Sequence, residues 1–250
     1  MSDLKLLFDI GNTRLKWALY QADKFIQQGN LLASEITPEL LDQTFDDQQR
    51  PDSIWISNVG SVVVIEQLSD WVKQNYSLNI QLLEVSQSCC GITNEYKSQD
   101  TQGVDRWVAA IGARSVLTEG HLIIVDAGTA VTIDWLSKEN RFEGGTILPG
   151  YNLMHDSLMK KTAGVSSDFS WAQQIVGRST QECVNSGVSF GLVGAIERVV
   201  KQMTGIIGAP VNLLLTGGSA LAIAERSDLD FILQENLVLL GVAAIARGQI

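Results

Sequence analysis

Leu6–Phe25 reads LLFDIGNTRLKWALYQADKF, and Ile123–Phe142 reads IIVDAGTAVTIDWLSKENRF. At a constant offset of 117 residues the two segments align without a gap, Asp9 on Asp126, Gly11 on Gly128, Leu19 on Leu136, Lys24 on Arg141 and Phe25 on Phe142. Self-similarity at fixed spacing marks a duplicated structural unit. The D-x-G pairs and the charged-aromatic ends carry the comparison, because apolar positions coincide easily in short strands. Each copy starts with an apolar run of strand length, Leu4–Phe8 or Leu122–Val125, that stops at an aspartate. A glycine turn follows, then an alternating stretch in which Val131, Ile133 and Trp135 share a face. Polar turns at Gln21–Asp23 and Ser137–Asn140 lead into a third strand.

Outward from the repeats, Thr37-Pro38 supplies an N-cap and first helical residue for ELLDQTF. Ser53–Ser57 reads as a strand, and Ser61 caps a helix with Val64, Ile65, Leu68, Trp71 and Val72 at helical spacing. NIQLLEV is a further strand, and Val104–Leu117 is helical. The second half continues with helices near 151–161 and 180–203, the strand VNLLL and terminal helices. The order is roughly βββαβα written twice, with domains at 1–118 and 119–250. Two similar α/β domains of this kind are expected to face a central cleft that holds the ligand.

Composition narrows the function. The chain has 250 residues, 22 glycines and 4 prolines, is 45% hydrophobic and carries a net charge of -10. It can build a sizeable core, and its acidic balance opposes nucleic acid and anionic membrane surfaces. No apolar stretch approaches the roughly 20 residues that cross a bilayer, the longest being Leu237–Ala246, and Asp9 stands where the apolar core of a leader would be expected to continue. A cytoplasmic location is the simplest expectation. Cys89, Cys90 and Cys183 are read as free thiols, and His121 as a strand-edge residue. Trp55, Trp71, Trp107, Trp135 and Trp171 are read as core or interface anchors.

D-I-G-N-T and D-A-G-T-A each put a carboxylate at a strand end beside a turn without bulk. Glycine lets backbone N–H groups converge on an oxygen cluster, and Asn12, Thr13 and Thr129 add side-chain donors. One such turn alone is commonly a hairpin with a capping aspartate. Two in register point to polyphosphate, with a cation between phosphate and carboxylate, as Mg²⁺ requires. Neither G-x-x-x-x-G-K-[ST] nor G-x-G-x-x-G occurs, and both glycine turns lead into strands rather than helices. A third signal, Thr216-Gly217-Gly218 between a strand and a helix, suits adenine or ribose.

The series D-x-G-N-T-x-x-K, D-x-G-T-A, T-G-G resembles the sugar kinase, heat-shock chaperone and actin superfamily. With Gly103–Trp107 (G-V-D-R-W) and Gly144–Met154 (GGTILPGYNLM), the chain is similar nearly end to end to type III pantothenate kinases. The resemblance implies duplicated RNase H-like (actin-like ATPase) α/β domains. It also implies phosphorylation of pantothenate by ATP to 4′-phosphopantothenate, a homodimer, Mg²⁺ and a monovalent cation, K⁺ or NH₄⁺. By position, Asp9, Ile10, Gly11, Asn12, Thr13, Arg14, Leu15 and Lys16 match the family's first ATP-phosphate loop. Asp105 matches the catalytic base; Tyr96, Gly103, Val104, Asp105 and Arg106 match the pantothenate site, with Thr180 a further substrate contact. Asp126 matches the monovalent-cation ligand and Thr129 an ATP contact.

Gln99 and Gln102 depart from the family, which usually has proline and leucine there. Loss of the proline is expected to loosen this loop. Asp105 opens a helix, from which its carboxylate can reach an acceptor hydroxyl, although helix N-termini favour aspartate in any case. Arg106 can fork onto a substrate carboxylate or form a surface salt bridge, and Lys16 faces phosphate or solvent. The helix bearing Arg106, Trp107, Ala110 and Ile111 is a candidate for the dimer axis. Another kinase of the superfamily, for a sugar or acetate, and a non-catalytic nucleotide-binding module are the alternatives.

Overall fold

In each half the apolar run before the aspartate becomes the central strand of a sheet. A computed structural model describes residues 3–45, 49–161 and 170–248. The chain splits into two units, Met1–Thr118 with Leu237–Ile250, and Glu119–Asn236.

The first unit begins with β1 (Lys5–Ile10), β2 (Arg14–Gln21), β3 (Lys24–Leu32), α1 (Pro38–Phe45), β4 (Ser53–Asn58), α2 (Val62–Tyr76) and β5 (Ile80–Leu82). A short hairpin, β6 (Ser88–Cys89) and β7 (Ile92–Asn94), then a single 3-10 turn at Gln99–Thr101, precede α3 (Val104–Val116). The sheet order is β3-β2-β1-β4-β5, with β1 antiparallel to β2 and parallel to β4. The caps are those the sequence suggests. Thr37 Oγ1 accepts from Leu40 N–H at 3.2 Å, and Ser61 Oγ accepts from Val63 N–H at 3.2 Å. Leu4, Leu6, Phe8 and Ile10 alternate onto one face and pack with Leu41, Phe45, Leu68 and Trp71 of α1 and α2. Leu7, equally buried, takes the opposite face, which explains why the run reads as continuously apolar.

The second unit runs β8 (His121–Ala127), β9 (Ala130–Leu136), β10 (Arg141–Pro149), α4 (Tyr151–Lys161), α5 (Thr180–Ile207), β11 (Val211–Thr216), α6 (Ala220–Ala224) and β12 (Ile232–Leu233). Its strands follow the order β12-β11-β8-β9-β10, the topology of the first unit repeated. Both third strands carry a bulge at the same place, between Leu19/Tyr20 in one pair and Phe142/Gly144 in the other. The 117-residue offset does not persist through the second strand. Asp9 lies opposite Lys16, whereas Asp126 lies opposite Thr132, so the second glycine turn is one residue shorter. The next turn is one residue longer and restores the offset, with Phe25 opposite Tyr20 and Phe142 opposite Leu136.

The final helix, α7 (Leu237–Ala246), corrects the expected 119–250 domain. It packs on α3 in the first unit, because Gly112 and Gly241 remove the side chains between the helix axes. A Cβ on Gly241 would fall on the Val108 carbonyl oxygen, and one on Gly112 on that of Leu237. Glycine costs a helix interior about 1 kcal/mol, and close packing offsets that here. Arg106, Trp107, Ala110 and Ile111 are consequently buried within the chain itself, so α3 does not present them as a dimer surface. The NIQLLEV strand is also shorter than its apolar pattern, ending at Leu82.

α5 is, by length and composition, long and apolar enough to cross a membrane, a point that counting uninterrupted apolar runs misses. In this fold Val188, Leu192, Val193, Ile196 and Val200 form one stripe in the core with Ile123, Val125, Val131 and Ile133. His121 opens β8, where its Nδ1 accepts from Lys138 N–H at 3.3 Å. Trp71 and Trp107 are buried, and the three cysteines are free.

Candidate active site

Strand β1 delivers Asp9 to the first glycine turn, which closes through Gly11 N–H donating to Arg14 C=O at 2.9 Å. Asn12 and Thr13 are exposed at its tip, and Lys16 is half-buried across from Asp9. Ile10 and Leu15 place their side chains in the core and leave only backbone to the loop. Arg14 turns toward β3, donating to Asn30 Oδ1 at 2.5 Å. The Asn58–Gly60 connection lies alongside. Val59 N–H donates to Ile10 C=O at 2.9 Å, and a Cβ on Gly60 would come within 2.6 Å of Gly11 O. Gly60 belongs to none of the sequence motifs; the signal it carries is N-V-G directly after a buried strand.

Asn58 and Val59 also line a cavity of about 750 Å³, together with Tyr96, Gln102, Gly103 and Val104. Gly103 is the N-cap of α3, and Asp105 sits in its first turn with Oδ1 accepting from Arg106 N–H at 2.8 Å. Burial pushes the Asp105 carboxyl above the ordinary aspartate range, more than the Arg106 backbone and charge pull it down. Arg106 is buried, which removes the surface salt-bridge reading. Its Nη1 donates to Tyr96 Oη at 3.2 Å, and its guanidinium stands 5.6 Å from the Tyr96 ring centroid. Tyr96, Gly103, Val104, Asp105 and Arg106 are thus brought together in the first unit.

The glutamines change the expectation of a loosened loop. Gln99 Nε2 donates to Gln87 Oε1 at 2.5 Å, and Asn94 Nδ2 donates to Gln102 Oε1 at 2.8 Å. Gln87 Nε2 in turn donates to Asn94 C=O at 3.0 Å. Side-chain amides tie residues 95–103 to the β6–β7 hairpin where the family's proline would have restricted the chain. Gln87 and Asn94 carry no motif in sequence; only the hairpin brings them opposite the glutamines.

In the second unit Asp126 ends β8 half-buried, and Gly128 N–H donates to Ala130 C=O at 3.0 Å across the shorter turn. Thr129 is exposed, its C=O accepting from Gly150 N–H at 3.0 Å. The T-G-G turn seats on the same strand end. Ser219 N–H donates to Ala127 C=O at 3.0 Å, and Gly217 (φ 95) passes so close that a Cβ would lie 2.5 Å from the Ala127 carbonyl carbon. Thr180 is the exposed first residue of α5, after Ser179 caps the helix by accepting from Glu182 N–H. Among the described residues no three His, Cys, Asp or Glu side chains cluster to hold a metal unaided. One carboxylate at each of two strand ends, Asp9 and Asp126, instead fits a cation that takes its remaining ligands from phosphate, carbonyls and water.

The sequence profile described as Type III pantothenate kinase matches residues 5–202. The chain belongs to the type III pantothenate kinase family. A curated Type III pantothenate kinase of Nitrosospira multiformis is 33% identical over 99% of this chain and 92% of its own length. One from Dechloromonas aromatica is 35% identical, covering 95% and 97%. Among solved structures, glucokinase from an Antarctic psychrotroph superposes with a TM-score of 0.52 at 13% identity, covering 98% of this chain and 99% of that one. At that identity it speaks for the fold, duplicated RNase H-like domains of the actin-like ATPase and sugar kinase kind.

Proposed function

We propose that Asp105 is the general base of an ATP-dependent pantothenate kinase and that Tyr96, Gly103, Val104, Arg106 and Thr180 contact the acceptor. As a type III pantothenate kinase, the enzyme transfers the γ-phosphoryl group of ATP to pantothenate. The product is 4′-phosphopantothenate, at the first step of coenzyme A biosynthesis. The observation that carries the assignment is Asp105 itself. Its half-buried carboxyl stands in the first turn of a helix beside the lining of the cavity, where desolvation raises its affinity for protons above the ordinary aspartate value. A base in this position takes the proton of the primary hydroxyl as that oxygen attacks phosphorus, while positioning and charge stabilisation supply the rest. Buried Arg106 offers a planar fork for the substrate carboxylate.

Asp9–Lys16 supplies the first phosphate loop, with the Lys16 ammonium as its cation, and Thr129 contacts ATP from the second. Asp9 would hold Mg²⁺ indirectly, and the ion would supply charge neutralisation on the phosphates. Asp126 holds a monovalent cation, K⁺ or NH₄⁺. The net charge of -10 makes such local cations necessary, since both substrates are anions. The working form is a cytoplasmic homodimer, and neither nucleic acid nor membrane is a partner. ADP release measured with and without pantothenate, and with K⁺ replaced by Na⁺, tests the reading. Release that depends on pantothenate and K⁺ is expected; release indifferent to pantothenate, or driven by a sugar instead, refutes it.

A further inference from the structure

Asn94 is buried to 2% exposure and fully paired. Its Oδ1 accepts from Tyr96 N–H at 3.0 Å, and its Nδ2 donates to Gln102 Oε1 at 2.8 Å and to Ser86 C=O at 3.4 Å. These partners settle which way each amide faces. A backbone N–H can only donate, so the Asn94 atom facing Tyr96 is the oxygen. The other Asn94 atom is therefore the nitrogen, and the Gln102 atom facing it must be the oxygen. Gln102 Nε2 is left over. It is buried without a hydrogen-bond partner, in a residue 6% exposed that lines the cavity beside Gly103. Turning the amide over would set two donors against each other at Asn94, so the orientation is locked.

Burying an unpaired amide nitrogen is costly, and in a residue of a cavity wall an acceptor brought by a ligand would relieve that cost. Resting on the pantothenate reading above, we propose that Gln102 is a specificity-determining residue of the acceptor site. Its Nε2–H₂ donates to an uncharged oxygen of pantothenate, a hydroxyl or the amide carbonyl, while Asn94 holds the carboxamide in register. The neutral amide suits an uncharged oxygen, and the guanidinium of Arg106 is left for the carboxylate. An acceptor molecule without that oxygen would strand the donor again, which gives discrimination from a single contact.

The test is steady-state kinetics on wild type, Gln102→Met and Gln102→Glu, varying pantothenate and ATP separately. Methionine keeps the length and apolar stem but has no donor. Glutamate keeps an oxygen for Asn94, has no N–H, and turns a carboxylate toward the ligand. KM for pantothenate is expected to rise roughly 3- to 10-fold in Gln102→Met and further in Gln102→Glu, with kcat and KM for ATP little changed. Unchanged pantothenate KM in both variants, with a raised melting temperature in Gln102→Met, overturns the proposal and leaves the pantothenate reading standing. A fall in kcat at constant KM overturns it too, since that marks a positioning role. Wild-type enzyme that forms no ADP in response to pantothenate overturns both.

Discussion

The two glycine turns are copies of one design that have diverged at a single geometric point. In the first, Lys16 stands across the strand pair from Asp9. In the second, a one-residue shorter turn brings neutral Thr132 opposite Asp126. Residues directly opposite share a face of the sheet, so the cross-strand position facing the first aspartate is a lysine and the one facing the second is a threonine. The difference matches the division of roles proposed above, phosphate at the first loop and a cation at the second. A turn shorter by one residue changes the residue facing the aspartate without changing the fold, since the next turn absorbs the slip.

The sharpest asymmetry between the halves is Asp105, which belongs only to the first. Asp105→Asn is expected to lower kcat by about 10²–10⁴-fold, the usual worth of a positioned base, in an ADP-release assay. Its stability should move the other way. Burial raises the carboxyl's pKa in the folded state above the unfolded value, so its favourable contribution is complete below the unfolded pKa and lost as pH rises through the folded one. At neutral pH the ionised carboxylate is therefore a burden, and the asparagine variant should melt higher. In the wild type, kcat should fall on acidification at a pH above the ordinary aspartate range. A profile flat down to pH 4 would count against Asp105 as the base.

Exchanging the residues that distinguish the turns tests the comparison directly. Lys16→Thr should raise the KM for ATP about 10- to 100-fold, the range for losing a hydrogen bond to a charged group. Thr132→Lys places an ammonium opposite Asp126 and should bring the ratio of rates in K⁺ and Na⁺ toward one. If that ratio is unaltered, Asp126 does not hold the cation.

A smaller effect is expected from Gly241→Ala, which sets a methyl against the Val108 carbonyl and should lower the melting temperature by roughly 5 °C. An unchanged midpoint would mean that α7 can lift from α3 at no cost. The least effect is at the hairpin thiols. Burial, with Cys89 alongside, pushes the Cys90 thiol up to about 12, so iodoacetamide at neutral pH should label exposed Cys183 and spare Cys90. Mass spectrometry of the labelled chain decides it.

Much of this was legible in sequence because it depends on local chemistry. Strand periodicity, aspartates at strand ends, the Thr37 and Ser61 caps and the repeat itself are properties of neighbouring residues. The displaced pairing of β9 was hidden, because an ungapped comparison cannot see one turn shorten and the next lengthen by the same amount. Gly60, Gln87 and Asn94 were hidden for another reason: each acquires meaning only from a residue distant in the chain.

By itself the sequence determined a duplicated α/β chain, its paired aspartate–glycine turns and the family to which it belongs, since these follow from residue order over short spans. Tertiary structure alone decided that α7 closes the first unit, that Arg106 is buried against Tyr96, and that Gln102, in the cavity wall, keeps one buried donor unspent. Those outcomes depend on which surfaces exclude water together, and on which atoms remain for a hydrogen bond once nearer partners are satisfied.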